Sequence, residues 1–128
     1  MSYYISTKIA ATTFEEAIEK TTAALKEQGF GVLTTIDMKA TLKAKIDKDI
    51  EPYTILGACN PKFASQALEN ENNIGVFLPC NVIVKQTKNG FEAVAVDPVA
   101  SMIAVKNENL HEFAAEVKGM LSKALEKL

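Results

Sequence analysis

One stretch, residues 53–84, constrains the fold of this chain more than any other. Both cysteines, Cys59 and Cys80, lie in it, and an asparagine follows each of them. One apolar run leads into Cys59, and a second leads out of Cys80. Asn60-Pro61 is a strong helix start, because Asn is a favoured N-cap and Pro at the first helical position loses only an unpartnered amide. The pattern predicts a strand, a short helix and another strand, with a Cys-Asn pair at each junction.

The length of that helix predicts how the two strands pair. A helix of about two turns and a polar loop cannot easily return the chain along the sheet to begin a parallel neighbour, so antiparallel pairing is favoured. Cys59 and Cys80 would then meet at one end of the sheet. We expect their Cα atoms to lie within about 10 Å, close enough to share a metal ion or, after a small backbone movement, to approach disulfide geometry.

The remaining elements follow from hydrophobic periodicity and from residues that favour turns. The predicted strands are residues 3–9, 30–36, 53–58, 76–85 and 91–96. The predicted helices are residues 14–28, residues 38–46, a short helix from Pro61, a helical turn within residues 99–105, and a long last helix capped by Asn107 or Asn109.

Three local patterns fix where these elements begin or turn. Thr13 and Glu16 have the spacing of a capping box, in which Glu16 would reach back to the amide of Thr13. Asp37 is a suitable N-cap for the second helix. Residues 88–90, Lys-Asn-Gly, carry the Asn-Gly signal of a hairpin, so the fifth strand should return antiparallel to the fourth.

These elements predict an α+β fold with two layers. We expect a five-stranded, mainly antiparallel sheet, one face of which is covered by the long helices near each end of the chain. With 128 residues, of which 48% are hydrophobic and 23% charged, the chain fits a single domain over residues 1–128.

Charge and hydropathy narrow the class of partner. The formal net charge is −2, from 14 basic and 16 acidic residues spread along the chain, so no basic surface for nucleic acid is evident. No apolar run approaches the roughly 20 residues of a membrane helix, and the N-terminus does not resemble a secretory signal. We therefore expect a cytoplasmic protein that binds neither nucleic acid nor membrane.

The motif content excludes several familiar sites. Two cysteines do not form a disulfide scaffold in a domain of this size, and one histidine is too few for a Cys/His zinc cage within one chain. The glycine patterns of phosphate loops, dinucleotide sites and hydrolase elbows do not occur.

Three segments, Y-T-I-L-G-A-C-N-P, L-P-C-N-V-I-V and V-D-P-V-A-S-M, together resemble the domain-of-unknown-function 302 family. The resemblance covers nearly the whole chain and implies a two-layer fold similar to that of the TATA-box-binding protein, β-α-β₄-α. It implies no reaction, and a shared fold says nothing about DNA binding. The signature positions that it carries over are Cys59, Asn60, Pro61, Pro79, Cys80, Asn81, Asp97 and Pro98.

The candidate ligand-binding residues are Cys59, Asn60, Cys80, Asn81 and Asp97, and the two cysteines are also the candidate metal ligands. A helix N-terminus beside Cys59 favours its thiolate, which suits soft-metal binding, reversible disulfide formation or nucleophilic attack. In the competing interpretation each thiol is a small buried apolar group, each asparagine a cap or turn former, and Asp97 part of an ordinary turn.

Two functions stay open, and neither a reaction nor a cofactor follows from the residues. The first is a small cytoplasmic binding module, or a thiol or soft-metal module, with its site at the two Cys-Asn pairs. His111 is expected to be an exposed helix residue, so a cysteine nucleophile has no evident base. The alternative is a homodimeric interaction domain without chemistry. It would use a helix-free sheet face, since Ile5, Ile36, Ile55, Ile83 and Val94 are enough apolar residues to populate both faces.

Overall fold

The computed structural model of the protein describes residues 2–128. Its strands are β1 (Tyr4–Ile9), β2 (Gly31–Asp37), β3 (Tyr53–Cys59), β4 (Cys80–Thr87) and β5 (Gly90–Val96). Its α-helices are α1 (Phe14–Glu27), α2 (Met38–Ile46), α3 (Pro61–Asn70), α4 (Pro98–Ser101) and α5 (Glu108–Glu126), and a 3₁₀ helix covers Asn72–Phe77. None of the helices within residues 2–128 is long and apolar enough to cross a membrane.

The strands form one open sheet in the order β1-β5-β4-β3-β2, and each neighbouring pair is antiparallel. The predicted α+β class and the predicted antiparallel pairing of β3 with β4 are therefore confirmed. The hairpin between β4 and β5 is confirmed as well, with Thr87 opposite Gly90. Gly90 has a φ of +128°, a conformation that side chains strongly disfavour, which explains why glycine follows Asn89 here.

The main hydrophobic core lies between one face of the sheet and the helices α1 and α5. Alternate residues of each strand point into it, as the period of two requires, and the helices contribute residues three and four positions apart. The fully buried members include Leu25 of α1, Leu56 of β3, Val82 and Val84 of β4, and Leu121 of α5.

A second, smaller core lies beyond the end of the sheet at which β3 stops and β4 starts. It is formed by Ala67 of α3, Ile74 of the 3₁₀ helix, Met102 after α4, and Leu110 and Ala114 near the start of α5. Because α5 is 19 residues long, its first turns contact this second core while its last turns contact the main one. The helix therefore bridges the two cores.

Most helix boundaries agree with the predicted caps. The side chains of Thr13 and Asp37 accept hydrogen bonds from Glu16 N (3.1 Å) and Ala40 N (2.9 Å) respectively. The capping box is only half formed, which corrects the prediction for Glu16. Its carboxylate pairs with Lys20 and accepts from the Thr12 hydroxyl, because both are nearer partners on the exposed surface.

The predicted start of the fourth strand at Val76 is wrong. Residues Asn72–Phe77 form a 3₁₀ helix, and β4 begins four residues later, at Cys80. Two physical reasons explain the difference. Ile74 is 1% exposed and anchors this segment in the second core, and Pro79 has no amide hydrogen to donate to a strand ladder.

The face of the sheet opposite α1 and α5 carries a row of branched apolar side chains. The strand register places Ile36 opposite Ile55, Ile55 opposite Ile83, and Ile83 opposite Val94. Ile36 is 44% exposed, and the other three are partly exposed. Ile5 lies on the other face and packs against the main core. Four of the five residues expected to cover the two faces therefore form one continuous row.

Candidate functional site

A cavity lies between the two cores, where β3 ends and β4 begins. Its volume is about 60 Å³, enough for a few water-sized molecules. Almost all of its lining is apolar. The lining residues are Phe30, Ala58, Cys59, Asn60, Phe63, Ala64, Ala67, Leu78, Pro79, Cys80, Pro98, Met102, Leu110, Phe113, Ala114 and Val117. Both cysteines and Asn60 of the predicted site therefore border one space.

The strand register explains how the two cysteines reach this cavity. Cys80, the first residue of β4, is paired with Ala58 of β3, and Cys59 is the next residue along β3. Both cysteines are partly buried and have free thiols. Because Ala58 is completely buried on the helix-covered face, its partner Cys80 faces the same way and packs against the main core.

Asn60 connects the cavity to the start of α3 and to the end of α1. Its side-chain oxygen accepts a hydrogen bond from Phe63 N at 3.4 Å, so the predicted N-cap is confirmed. On the other side, a Cβ atom placed on Gly29 would lie 3.1 Å from Asn60 Nδ2. Gly29 has a φ of +86°, so glycine serves here both to end α1 and to leave room for Asn60.

The Cys80 thiol has a strongly perturbed acidity. Burial raises the pKa of Cys80 to about 11, and the nearby negative charge that Cys59 would carry as a thiolate contributes in the same direction. Both effects disfavour a charged sulfur in apolar surroundings. At neutral pH Cys80 is therefore a neutral thiol, which is a poor nucleophile.

Asn81 and Asp97 lie outside the cavity lining. Asn81 is the second residue of β4, is exposed, and is paired with Gly57 on the open face of the sheet. Asp97 is 7% exposed and follows β5, where its Oδ1 accepts from Val99 N (2.9 Å) and Ala100 N (3.3 Å). It caps α4, while the next residue, Pro98, lines the cavity.

Asp97 also links α4 to α5, because its Oδ2 lies 2.8 Å from Lys118 Nζ. Burial alone would raise the pKa of Asp97. Two effects outweigh burial and hold the pKa of Asp97 below its ordinary value. They are the hydrogen bonds that Asp97 accepts from Lys118, Ala100 N and Val99 N, and the positive charge of Lys118. In this structure Asp97, one of the candidate ligand-binding residues, is therefore a charged cap of α4.

Leu78 and Pro79 form the wall of the cavity next to the open face of the sheet, since both also line a groove on that face. Pro79 packs over Gly57, where an added Cβ would lie 2.8 Å from Pro79 Cγ and would overlap Thr34 Oγ1. Glycine at position 57 is thus required by close packing from two directions.

Met102, whose side chain carries a thioether sulfur, also lines the cavity, although the sequence analysis did not include it among the candidate site residues. It is 9% exposed and follows α4. Met102 is the last residue of the V-D-P-V-A-S-M segment, but no local pattern places it near either cysteine. Leu110 and Val117, by contrast, belong to the stripe predicted for the last helix.

The remaining polar groups near the cavity are already satisfied. Within residues 2–128, no buried side-chain nitrogen or oxygen lacks a hydrogen-bond partner. The same residues contain no group of three or more His, Cys, Asp and Glu side chains that could hold a metal ion. His111 is exposed, as expected, with Nε2 2.7 Å from the Val105 carbonyl oxygen. The sulfur atoms are therefore the chemically distinctive groups of the cavity.

The fold and the cavity define a class of small α+β proteins with an open antiparallel sheet and a thiol-bearing apolar cavity at one end of it. The chain belongs to the family described as Domain of unknown function DUF302, whose model matches residues 5–128. The family resemblance seen in the sequence is thereby confirmed.

A solved structure is similar over the whole length. The crystal structure of an uncharacterized conserved protein DUF302 from Bacillus stearothermophilus is 28% identical, with a TM-score of 0.92, and the match covers 99% of this chain and 98% of that one. A comparison with curated proteins found no match.

Proposed function

We propose that this protein is a small binding module that holds its ligand in the cavity bordered by Cys59 and Cys80. The observation that carries the proposal is an apolar space that two free cysteines border, one at the end of β3 and one at the start of β4. Ligand sites are typically apolar pockets with a few convergent polar or reactive groups. The sixteen lining residues include no histidine, carboxylate or lysine, so binding is favoured over acid–base catalysis.

The register brings the backbone positions of Cys59 and Cys80 near each other. Neighbouring strands lie about 4.8 Å apart and each residue advances about 3.4 Å, so a one-residue offset separates Cα atoms by roughly 6 Å. Cys59 has this offset from Cys80, because its neighbour Ala58 is the residue paired with Cys80. Two free cysteines fit a reducing compartment, and we therefore also propose a cytoplasmic location.

Xenon tests whether the cavity accepts a guest, because it is a small apolar atom that enters dry cavities. Under xenon pressure, amide NMR shifts should change around Cys80 and Ala114. Ala114→Leu, which adds bulk inside the cavity, should suppress those changes. Ala44→Leu makes the same substitution at an exposed site on α2, so it should leave the xenon-induced shift changes as they are in the unsubstituted protein. Unchanged shifts in the unsubstituted protein would contradict the proposal.

A second function, self-association, is favoured by the apolar row on the open face of the sheet. Ile36, Ile55, Ile83 and Val94 run across four adjacent strands. Single exposed apolar residues need no explanation, but a contiguous apolar patch on a sheet marks an interaction surface. We propose a second copy of this chain as the occupant, since a twofold axis through the row would place the same branched side chains against each other.

A further inference from the structure

We propose a second ligand site, outside the cavity, in the groove on the open face of the sheet beside Asn81. Its ligand is a small, neutral, planar aromatic molecule with a polar edge that pairs with the Asn81 carboxamide. Leu78 and Pro79 separate this groove from the cavity, since both residues line both spaces. The site is therefore independent of the function proposed for the cavity.

The groove has the size of a site for a small organic molecule. Its volume is about 330 Å³, whereas that of the cavity is about 60 Å³. Ligand pockets typically enclose roughly 300–1,000 Å³. None of the twelve lining residues has a charged side chain. Because a charge removed from water needs a charged or strongly hydrogen-bonding partner, this lining favours a neutral ligand.

The groove collects the exposed aromatic side chains. Among residues 2–128, three aromatic side chains are exposed, those of Tyr3 (75%), Tyr4 (43%) and Phe77 (44%). All three line the groove. The rings of Tyr3 and Tyr4 contact each other edge to face, with their centroids 5.1 Å apart. Aromatic rings interact best with other rings, in offset or edge-to-face geometry, so this lining favours a ligand with a planar ring.

Asn81 supplies the polar contact. Its side chain is exposed on the open face, and its carboxamide can both donate and accept a hydrogen bond. Asn60 and Asn107 each cap a helix, whereas Asn81 lies within β4. The side chain of Asn81 is thus available to a ligand. Apolar pockets with a few polar groups that orient the ligand are the usual form of such sites.

The strand register sets the width of the site. Tyr4 of β1 is opposite Val96 of β5. Val82 of β4 is opposite Ala95 of β5, so the preceding residue, Asn81, lies on the other side of Val96. Since neighbouring strands are about 4.8 Å apart, the Cα atoms of Tyr4 and Asn81 are roughly 10 Å apart. A ring at about 4.5–7 Å from the Tyr4 ring leaves roughly the length of a hydrogen bond to Asn81.

The aromatic side chains stand on anchored segments. The Tyr3 carbonyl oxygen accepts a hydrogen bond from Asp97 N at 2.9 Å, which ties the residue before β1 to the end of β5. Phe77 ends the 3₁₀ helix that Ile74 anchors in the second core. A site that is already formed costs little ordering when a ligand binds.

An NMR titration with benzamide tests the proposal, because benzamide joins a planar ring to a neutral carboxamide. Amide shifts around Asn81 and Phe77 should change saturably, with a Kd in the millimolar range that suits so small a ligand. Cyclohexanecarboxamide keeps the carboxamide but lacks the planar ring, and benzoate keeps the ring but is charged. Each should bind at least about fivefold more weakly than benzamide.

Two variants test the contacts directly. Asn81→Ala should weaken benzamide binding about tenfold through the lost hydrogen bonds, and Tyr3→Ala should weaken it about fivefold through the lost ring contact. Both side chains are exposed, so both variants should fold. Asn73→Ala is the matched control, because Asn73 is an exposed asparagine that does not line the groove. It should leave the benzamide affinity unchanged.

Four results would overturn the proposal. The first is equal benzamide affinity in Asn81→Ala and Asn73→Ala, and the second is equal affinity of the unsubstituted protein for benzamide and cyclohexanecarboxamide. The third is a loss of affinity in Ala114→Leu as large as in Asn81→Ala, which would place benzamide in the cavity. The fourth concerns a second copy of the chain, which is the competing occupant because Ile83 and Val94 belong to both the groove and the apolar row. If dilution shifts the signals of groove residues and benzamide does not, the second copy occupies the groove.

Discussion

Lys118 Nζ lies 2.8 Å from Asp97 Oδ2 and so joins the middle of α5 to the turn that follows β5. The same carboxylate caps α4 through its other oxygen. One side chain therefore fixes the short segment that carries both Pro98 and Met102 to the cavity. An isolated surface ion pair contributes little, but a nearly buried carboxylate with backbone donors contributes more.

The first prediction concerns Asp97. Asp97→Ala should lower the free energy of unfolding by roughly 1–2 kcal/mol, because it removes an N-cap and leaves the partly buried amides of Val99 and Ala100 short of an acceptor. Since the folded-state pKa of Asp97 is lowered, its contribution should be complete above the unfolded-state pKa of about 3.9 and should disappear as the pH falls through the folded-state pKa.

Urea denaturation from pH 7 down to pH 3 measures this effect. The stability difference between the unsubstituted protein and Asp97→Asn should be constant near neutrality and should shrink below about pH 4. Glu19→Gln, which neutralises an exposed carboxylate on α1, serves as the control. A difference that does not depend on pH would show that the charge of Asp97 is irrelevant.

Gly57→Ala should be much more harmful than Gly31→Ala. An added Cβ at position 57 meets Pro79 and Thr34, whereas an added Cβ at position 31 meets nothing within 4 Å. Overpacking of this kind costs roughly 1–3 kcal/mol. Thermal denaturation of the two variants gives the comparison, and equal melting temperatures would mean that Thr34 and Pro79 can move aside.

Asn60→Ala should lower stability by about 1 kcal/mol or less, because a helix N-cap is lost. The structure gives a single acceptor contact, to Phe63 N, and its length of 3.4 Å places the effect at the lower end of the range. The denaturant midpoint measures it. Asn73→Ala, at an exposed position of the 3₁₀ helix, is the comparison variant, and the hypothesis is rejected if both midpoints shift equally.

Cys80 should react slowly with alkylating reagents at neutral pH. With its pKa raised to about 11, its thiolate fraction should rise about tenfold for each pH unit up to that value. The alkylation rate is measured in Cys59→Ser, where Cys80 is the one remaining cysteine. In this variant burial still raises the pKa of Cys80, although the contribution of Cys59 is gone. An alkylation rate that levels off near pH 8.5, as for an unperturbed thiol, would refute the prediction.

Self-association should appear as a dimer of about twice the 13.9 kDa chain mass at micromolar concentration. Light scattering measures the mass. Ile83→Glu, at the centre of the apolar row, should produce monomers, because it places a charge between Ile55 and Val94. Glu19→Gln again serves as a control and should remain dimeric. A monomeric mass for the unsubstituted protein would exclude this interface.

The sequence by itself determined the order of strands and helices and most of their boundaries, because those signals are local. Asn60-Pro61, Asp37 and Gly29 act on the backbone within a few residues, so their effects could be read without knowing the fold. The antiparallel pairing of β3 with β4 also followed, since a short connecting helix limits where the chain can return.

Tertiary structure alone decided which side chains share the cavity. The start of β4 depended on Ile74 finding a place in the second core, which local patterns do not reveal. The sequence grouped Asn81 and Asp97 with the cysteines, but strand alternation turned Asn81 to the open face, and capping together with Lys118 occupied Asp97. Met102 joined Cys59 and Cys80 because α5 bridges two cores with a space between them. Contacts between residues so distant in sequence are set by packing, which no local pattern encodes.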